Sequence, residues 1–515
     1  MELTIGNLFS ASAAKYPEKI AVIYKNTRFT YREVEERSNR IANGLLKMGL
    51  KKGDRCAILF YNRAEWLEVY IGMAKVGIIA VPVNFRFVAA EIEYVINHSR
   101  PKAMIYEEVF EETISAIKGK LVTVKDYICL GSNHGDLDYI QLLEESNPNL
   151  EYSEDVNETD PFFFGYTSGT TGFPKGAVVE HRNLIVHHLA VSKELGGLNQ
   201  NDKMLLIMPL FHSNSTWFLQ MMAMIGGTAI IYQSTGFEPE EILSIIHNEQ
   251  VTITSVVPTM LTMMLNLPDR IREKYSLSSL RVLLCSSAPL MTNTRERTLE
   301  LFSEANLYEG YGATETGTVS LLPPNEMHKK LRSVGRPIIG KQVRLLDNNG
   351  NDVDVGEIGE IYVKGIGTLL KEYWEQPEAT KEAFRGEWLS VGDTARMDKE
   401  GYLYLEDRKK DIIISGGENV YPTEVENVIA IHPSVAEVAV IGVPDEHWGE
   451  RVHAVIELKT GCSCSEAEII DFCRGKLAGY KRPRSVDFIG ALAKNATGKI
   501  IRRKIRDPYW ENVKK

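Results

Sequence analysis

Tyr166-Thr-Ser-Gly-Thr-Thr-Gly-Phe-Pro-Lys-Gly176 follows directly on the apolar run Phe162-Phe163-Phe164. Glycines at 169, 172 and 176 permit tight turns that expose backbone N–H groups. Thr167, Ser168, Thr170 and Thr171 add hydroxyl donors, and Lys175 adds a cation. A buried strand that breaks into such a loop is suited to cradling phosphate oxygens. A plain linker would need neither the hydroxyls nor the terminal lysine. The GxxxxGK[ST] pattern is absent, so the loop is not read as that of a kinase or GTPase.

On either side of this loop, strand and helix patterns alternate. Thr30-Tyr-Arg-Glu33 is a capping box, with Val34, Ile41, Leu45 and Met48 at helical spacing behind it and Gly49 as the stop. Cys56 to Phe60 reads as a buried strand, Ala64 to Val76 as a helix, and Ile78 to Val83 as another strand. The same rhythm returns at Leu205–Met208, Thr228–Tyr232, Ile253–Val257 and Val282–Cys285. Short apolar strands between helices predict parallel sheets covered on both faces. From Ser333 to Leu405 strand-like pieces separated by Gly, Asn and Asp turns predict a smaller β-rich part. Beyond the charged string Asp407-Arg-Lys-Lys-Asp411 lies a compact α/β unit, opened in part by a second capping box, Ser465-Glu-Ala-Glu468. A domain boundary is placed near Asp407.

Composition narrows the function. The 515 residues are 44% hydrophobic and 25% charged, an ordinary globular balance with material for more than one domain. A formal net charge of -10 argues against general nucleic-acid binding. The charge is uneven: 13 Lys/Arg stand against three acids from Arg474 onward. Such a segment is a solvated face or a grip for a polyanion. Six cysteines without a CxxC pair resemble no zinc site and fit a reducing, cytoplasmic compartment. The opening MELTIGNLFSASAAKYPEK lacks the features of a signal peptide. Met204 to Phe237 carries no Asp, Glu, Lys or Arg. Its Pro209, His212, Asn214, Gln220 and Gly226-Gly227 argue against a transmembrane span, and it reads as two strands around a loop and a helix.

Five further stretches follow in order. They are Tyr308-Glu-Gly-Tyr-Gly-Ala-Thr-Glu-Thr316, Gly359-Glu-Ile-Tyr-Val-Lys-Gly365, Trp388-Leu-Ser-Val-Gly-Asp-Thr394, Asp407-Arg-Lys-Lys-Asp-Ile-Ile-Ile-Ser-Gly-Gly-Glu-Asn-Val-Tyr-Pro422 and Asn495-Ala-Thr-Gly-Lys-Ile500. Together with the 166–176 loop they resemble the ordered signatures of the adenylate-forming (AMP-binding) superfamily, in its acyl-CoA synthetase or aryl-acid CoA ligase branch. The resemblance implies an α/β fold. A large N-terminal domain (1–406) has two doubly wound αβ subdomains and a small β-rich one. A hinge (407–410) leads to a small mobile α+β C-terminal domain (411–515).

The resemblance also assigns roles. Thr167, Ser168, Gly169, Thr170, Thr171, Gly172 and Lys175 would hold ATP phosphates. Ala288, Glu309, Gly310, Tyr311, Gly312 and Thr314 would surround the adenine, with Tyr311 stacked on it and the two glycines keeping the path clear. Glu315 would offer Mg²⁺ a hard oxygen. Asp393 and Arg408 would bind the ribose. Lys499 would stabilise charge as carboxylate meets α-phosphate, and Lys410 would be the hinge. Gly416 and Gly417 would leave room for pantetheine. The acyl pocket would lie around His212, Trp217, Ser286, Ser287 and Gly310. His212 is read as a gate rather than a base, and Trp217 as pocket wall or core aromatic. Many relatives carry a glycine-rich turn at Ser286-Ser287, so the added side chains argue against a very long straight acid. The implied substrates are a small carboxylic acid, ATP and coenzyme A. The alternatives are transfer to a carrier-protein thiol, release of the adenylate, or a nucleotide-regulated acyl-binding or uptake protein. A chain with no appended carrier segment favours free coenzyme A. The oligomeric state stays open, a homodimer included.

Overall fold

Thr30 caps the helix Tyr31–Lys47 as its sequence predicts: its hydroxyl accepts from the Glu33 N–H while the Glu33 carboxylate accepts from the Thr30 N–H. This helix packs on Glu65–Lys75, the next predicted one. The computed structural model describes residues 2–131, 136–151, 155–167, 174–233, 236–287, 290, 292–408, 411–415, 418–445, 448–474, 476–477, 479–494 and 500–511.

Two large sheets form the bulk of the chain. The first runs, in spatial order, through strands at 370–373, 175–180, 161–167, 79–82, 55–59, 103–107, 126–130 and 137–138. It is parallel from Pro161–Thr167 onward, and Lys175–Glu180 and Leu370–Tyr373 close one edge as antiparallel strands. The second runs through 336–337, 317–322, 306–313, 282–286, 253–256, 203–206, 228–231, 20–24 and 27–30. Its centre is parallel and both edges are antiparallel. Helices cover these sheets, so their central strands are buried, as in Cys56–Leu59 and Phe162–Phe164.

Met204 to Phe237 supplies the strand Lys203–Leu206, the buried helix Ser213–Ile225 and the strand Thr228–Ile231 to the second sheet. Among the described residues no helix is long and apolar enough to cross a membrane. A third, all-antiparallel sheet contains Lys341–Leu346, Ile358–Gly365, Asp393–Met397 and Leu403–Arg408. Its last strand continues through the Asp407 boundary expected from sequence. Its apolar face at Leu403 pairs against Met397, and the ladder extends until Arg408 meets Asp393. A fourth sheet, built from Val435–Asp445, Gly449–Leu458, Ser485–Ile489 and the hairpin Ile413–Ser415/Glu418–Val420, has its own core around Val440, Val452 and Ile456. The Ser465 capping box forms as expected.

Candidate active site

In open α/β sheets, ligands bind beyond the carboxyl ends of the strands. Here the ends of the two large sheets meet. Thr167 ends one strand and Lys175 opens its antiparallel return, with the two residues directly paired. Ser168, Gly169, Thr170, Thr171 and Gly172, between them, lie outside the described residues. The Thr167 hydroxyl donates to Glu315 Oε1 at 3.0 Å, and the Tyr373 hydroxyl donates to the same oxygen at 2.9 Å. Lys175 Nζ lies 5.1 Å from the centre of the Tyr373 ring. Glu315 is only 6% exposed, yet no donor among the described residues meets its Oε2. Thr314 completes the junction. Its hydroxyl is 3.0 Å from that of Ser213. A Cβ at Gly165 would lie 2.7 Å from its methyl group, so glycine is what lets the two sheets approach.

The Thr314–Thr316 turn is tied down on several sides. The N–H groups of Leu369 and Leu370 donate to the Glu315 carbonyl, and Ala313 N–H donates to the Thr316 hydroxyl at 3.0 Å. Lys341 Nζ donates to the Thr316 carbonyl at 2.8 Å and to the Thr368 hydroxyl at 3.2 Å. Burial lowers the Lys341 pKa from 10.5 to about 7. Below about 7 the folded and unfolded chains both carry the proton and the desolvation cost is borne in full. Between about 7 and 10.5 the unfolded chain keeps a proton that the folded one has lost, so stability rises with pH. Urea unfolding of the wild type and Lys341→Met should therefore show the difference moving in favour of the wild type as pH rises from 7 to 9. A difference independent of pH would contradict this.

Tyr311 donates its hydroxyl to Asp393 Oδ2 at 2.8 Å, and Asp393 stands opposite Arg408 in the third sheet. The adenine and ribose candidates are thus brought to one place. Glu309 is committed elsewhere. Its carboxylate accepts from Arg295 at 2.5 Å and from the Leu290 N–H at 3.2 Å, with both members of the ion pair buried. Burial raises the Glu309 pKa and Arg295 opposes the rise. Only its backbone remains for a nucleotide. Gly312 has a reason besides a clear ligand path: a Cβ there would lie 2.3 Å from the Gly317 carbonyl oxygen in the facing strand.

At the acyl side, His212 caps the helix Ser213–Ile225, its Nδ1 accepting from the Asn214 N–H at 3.3 Å. The Asn214 amide donates to the Ser286 hydroxyl at 3.3 Å. Ser287 holds φ at 71°, a conformation that favours glycine. A serine there carries a strain of about 1 kcal/mol or more. Gly310 faces Ser286, and the Trp217 ring is buried against His187, with centroids 5.1 Å apart. Ala288 lies outside the described residues, as do Lys410, Gly416, Gly417 and Lys499. On either side of them, Ser415 pairs with Glu418 and a bridge joins Lys494 to Ile500.

Sequence reasoning missed Tyr373 and Lys341. Tyr373 carries no local signal. It reaches Glu315 because its strand pairs with Lys175–Glu180 from far along the chain. Ser213 and Asn214 fall within the 212–217 stretch that the resemblance assigns to the acyl pocket.

Comparison with known proteins agrees with this geometry. Residues 9–374 match the AMP-binding enzyme family and residues 424–499 match the AMP-binding enzyme C-terminal domain. A long-chain-fatty-acid–CoA ligase of Mycobacterium tuberculosis is 36% identical over 99% of each chain. A feruloyl-CoA synthase of an Amycolatopsis species is 37% identical over 95% of this chain and 96% of its own. The crystal structure of an anthranilate CoA ligase in complex with anthranoyl-AMP superimposes with a TM-score of 0.92 at 29% identity, covering 99% of this chain and 98% of that one. The chain belongs to the AMP-binding enzymes of the adenylate-forming superfamily and is an AMP-forming acid–thiol ligase that uses ATP and coenzyme A.

Proposed function

We propose that the junction of Thr167, Thr314, Glu315 and Tyr373 is where ATP and a carboxylic acid react. The observation that carries this is the buried Glu315 carboxylate, with one oxygen held by two hydroxyls and the other unpaired among the described residues. That donor set fits Mg²⁺, which takes oxygen ligands and keeps waters and phosphate oxygens as partners. Glu315 would hold the ion, and the ion would neutralise phosphate charge. The 168–173 loop and Lys175 bind the phosphates. Tyr311 presents its ring to adenine, while Asp393 and Arg408 hold the ribose. A carboxylate oxygen of the acid attacks the α-phosphorus, the bond to the bridging oxygen breaks, and pyrophosphate leaves. Lys499 supplies the cation at that step.

In the second half-reaction the coenzyme A sulfur attacks the acyl carbon, AMP leaves, and the thiol proton passes to solvent. Rotation about Lys410 exchanges Lys499 for the Gly416-Gly417 turn between the two halves; domain motions of this kind rest on a few hinge residues. The 407–410 hinge divides the 1–406 and 411–515 domains in this reading. Six free cysteines fit a reducing cytoplasm. For the acid, the relatives' names span fatty and aryl acids. Ser286, Ser287 and Trp217 favour a compact aryl or medium-chain acid over a very long chain. A panel of such acids is expected to give AMP release that requires both the acid and coenzyme A. Release with a carrier-protein thiol but not with coenzyme A, or none with any acid, would reject the reading.

A further inference from the structure

The helix Ser213–Ile225 is buried along most of its length, and most of it is apolar. One face breaks that pattern. Asn214, Trp217 and Gln220 recur three residues apart, a spacing that stacks them on one side of a helix. Two of them carry buried polar atoms with no hydrogen-bond partner among the described residues, Asn214 Oδ1 and Trp217 Nε1, while the Gln220 amide lies against His188. Facing them on the helix His181–Glu194 are His187 and His188, both buried; His187 Nδ1 has no hydrogen-bond partner among the described residues, and His188 lies against Gln220.

His187 shows which kind of partner is missing. Its Nε2 accepts the Thr318 N–H at 2.9 Å, so the neutral ring carries its proton on Nδ1, and Nδ1 has no acceptor among the described residues. Burial, then His188 and Lys341, hold the ring well below its ordinary pKa, which keeps it neutral. The Trp217 ring packs edge-on against this imidazole and brings a second N–H, also without an acceptor. Leaving such donors unpaired in a buried place is costly, so a partner for them stabilises the site.

The pair adjoins the candidate acyl residues: Gly310 faces Ser286, Asn214 donates to the Ser286 hydroxyl, and Trp217 is one helical turn along from Asn214. Thr318, which holds His187, pairs with Gly312 in the strand that carries the adenine candidates. We propose that the acid carries, at the end remote from its carboxylate, an oxygen that accepts hydrogen bonds from His187 Nδ1–H and Trp217 Nε1–H. The inference rests on the ligase reading and adds the chemistry of the acid's distal end. An ether, a ketone or a phenol oxygen would serve, and a hydroxyl could also donate to Asn214 Oδ1.

Matched acids test it. Hydrocinnamate is compared with its para-methoxy and para-hydroxy derivatives, and octanoate with the methyl ketone of equal length. The readout is kcat/KM for coenzyme-A-dependent AMP release. The wild type should favour an oxygen-bearing member of a pair by about tenfold or more, since a site built to hydrogen-bond a group rejects the analogue lacking it. Trp217→Phe, which keeps a ring, and His187→Gln, which keeps an acceptor for the Thr318 N–H, should bring that ratio towards one. Equal turnover of every pair by the wild type would overturn the proposal, with resident water then pairing the donors, and would leave the ligase reading intact. A wild-type preference unchanged in both variants would also overturn it. Turnover of neither member of any pair would remove the ligase reading and this inference together.

Discussion

Lys499→Ala is expected to cut acid-dependent exchange of pyrophosphate into ATP by on the order of 10²–10³-fold, the loss typical of a missing charge-stabilising donor. Two anions must approach in the adenylation step, and charge grows on the oxygens around the α-phosphorus. A positioned ammonium counters that charge where water is excluded. Its proposed role ends there, because domain rotation withdraws it before the thiol arrives. Thioester formation from a supplied acyl-adenylate should therefore survive nearly intact. The substitution removes a side-chain charge and leaves the backbone intact, so stability should be unchanged. Exchange within a few-fold of the wild type would make Lys499 an ordinary solvated lysine in a basic segment.

Glu315→Gln tests the other end of the same step. The amide oxygen can still accept from Thr167 and Tyr373, which hold the native carboxylate at 3.0 and 2.9 Å. What is lost is the anionic second oxygen offered to Mg²⁺. Pyrophosphate release should fall by on the order of 10²-fold, and the Mg²⁺ concentration needed for half-maximal rate should rise. The melting temperature should stay close to that of the wild type, because the hydrogen bonds that organise the turn are kept. An unchanged Mg²⁺ dependence would mean that Glu315 only braces Thr167 and Tyr373. Tyr373→Phe, which removes one brace and no metal ligand, should cost less than Glu315→Gln.

What could be read from the chain divides by range. The capping boxes at Thr30 and Ser465 depend on residues three apart, and both formed. The buried strands depend on local apolar runs, and they formed with ends shifted by a residue or two. Boundaries set by pairing partners were less legible. The Leu403–Arg408 strand extends past Asp407 because Asp393 offers it a ladder partner, which a charged string in the sequence conceals. The site divides in the same way. Thr167, Lys175, Glu315 and Asp393 were visible because ordered motifs announce them. Tyr373, Lys341 and His187 were not, since each acquires its meaning from a partner distant in sequence. Glu309 shows the converse: it lies within a motif, yet its side chain serves Arg295.

The strand order of the two large sheets also bears on how the chain can fold as it is synthesised. Neither sheet is a contiguous piece of sequence. Strands Ile20–Tyr24 and Thr27–Thr30 wait for Thr228–Ile231, while Lys175–Glu180 keeps an open edge until Leu370–Tyr373 has been made. Contacts this far apart are slow to form, because a long loop must close before any pairing rewards it. An uncovered strand edge meanwhile is a template for the wrong neighbour. The strand that leads out of the phosphate loop is therefore one of the edges left open longest during synthesis, and a nascent chain released before Tyr373 lacks both the cover of that edge and the hydroxyl that holds Glu315.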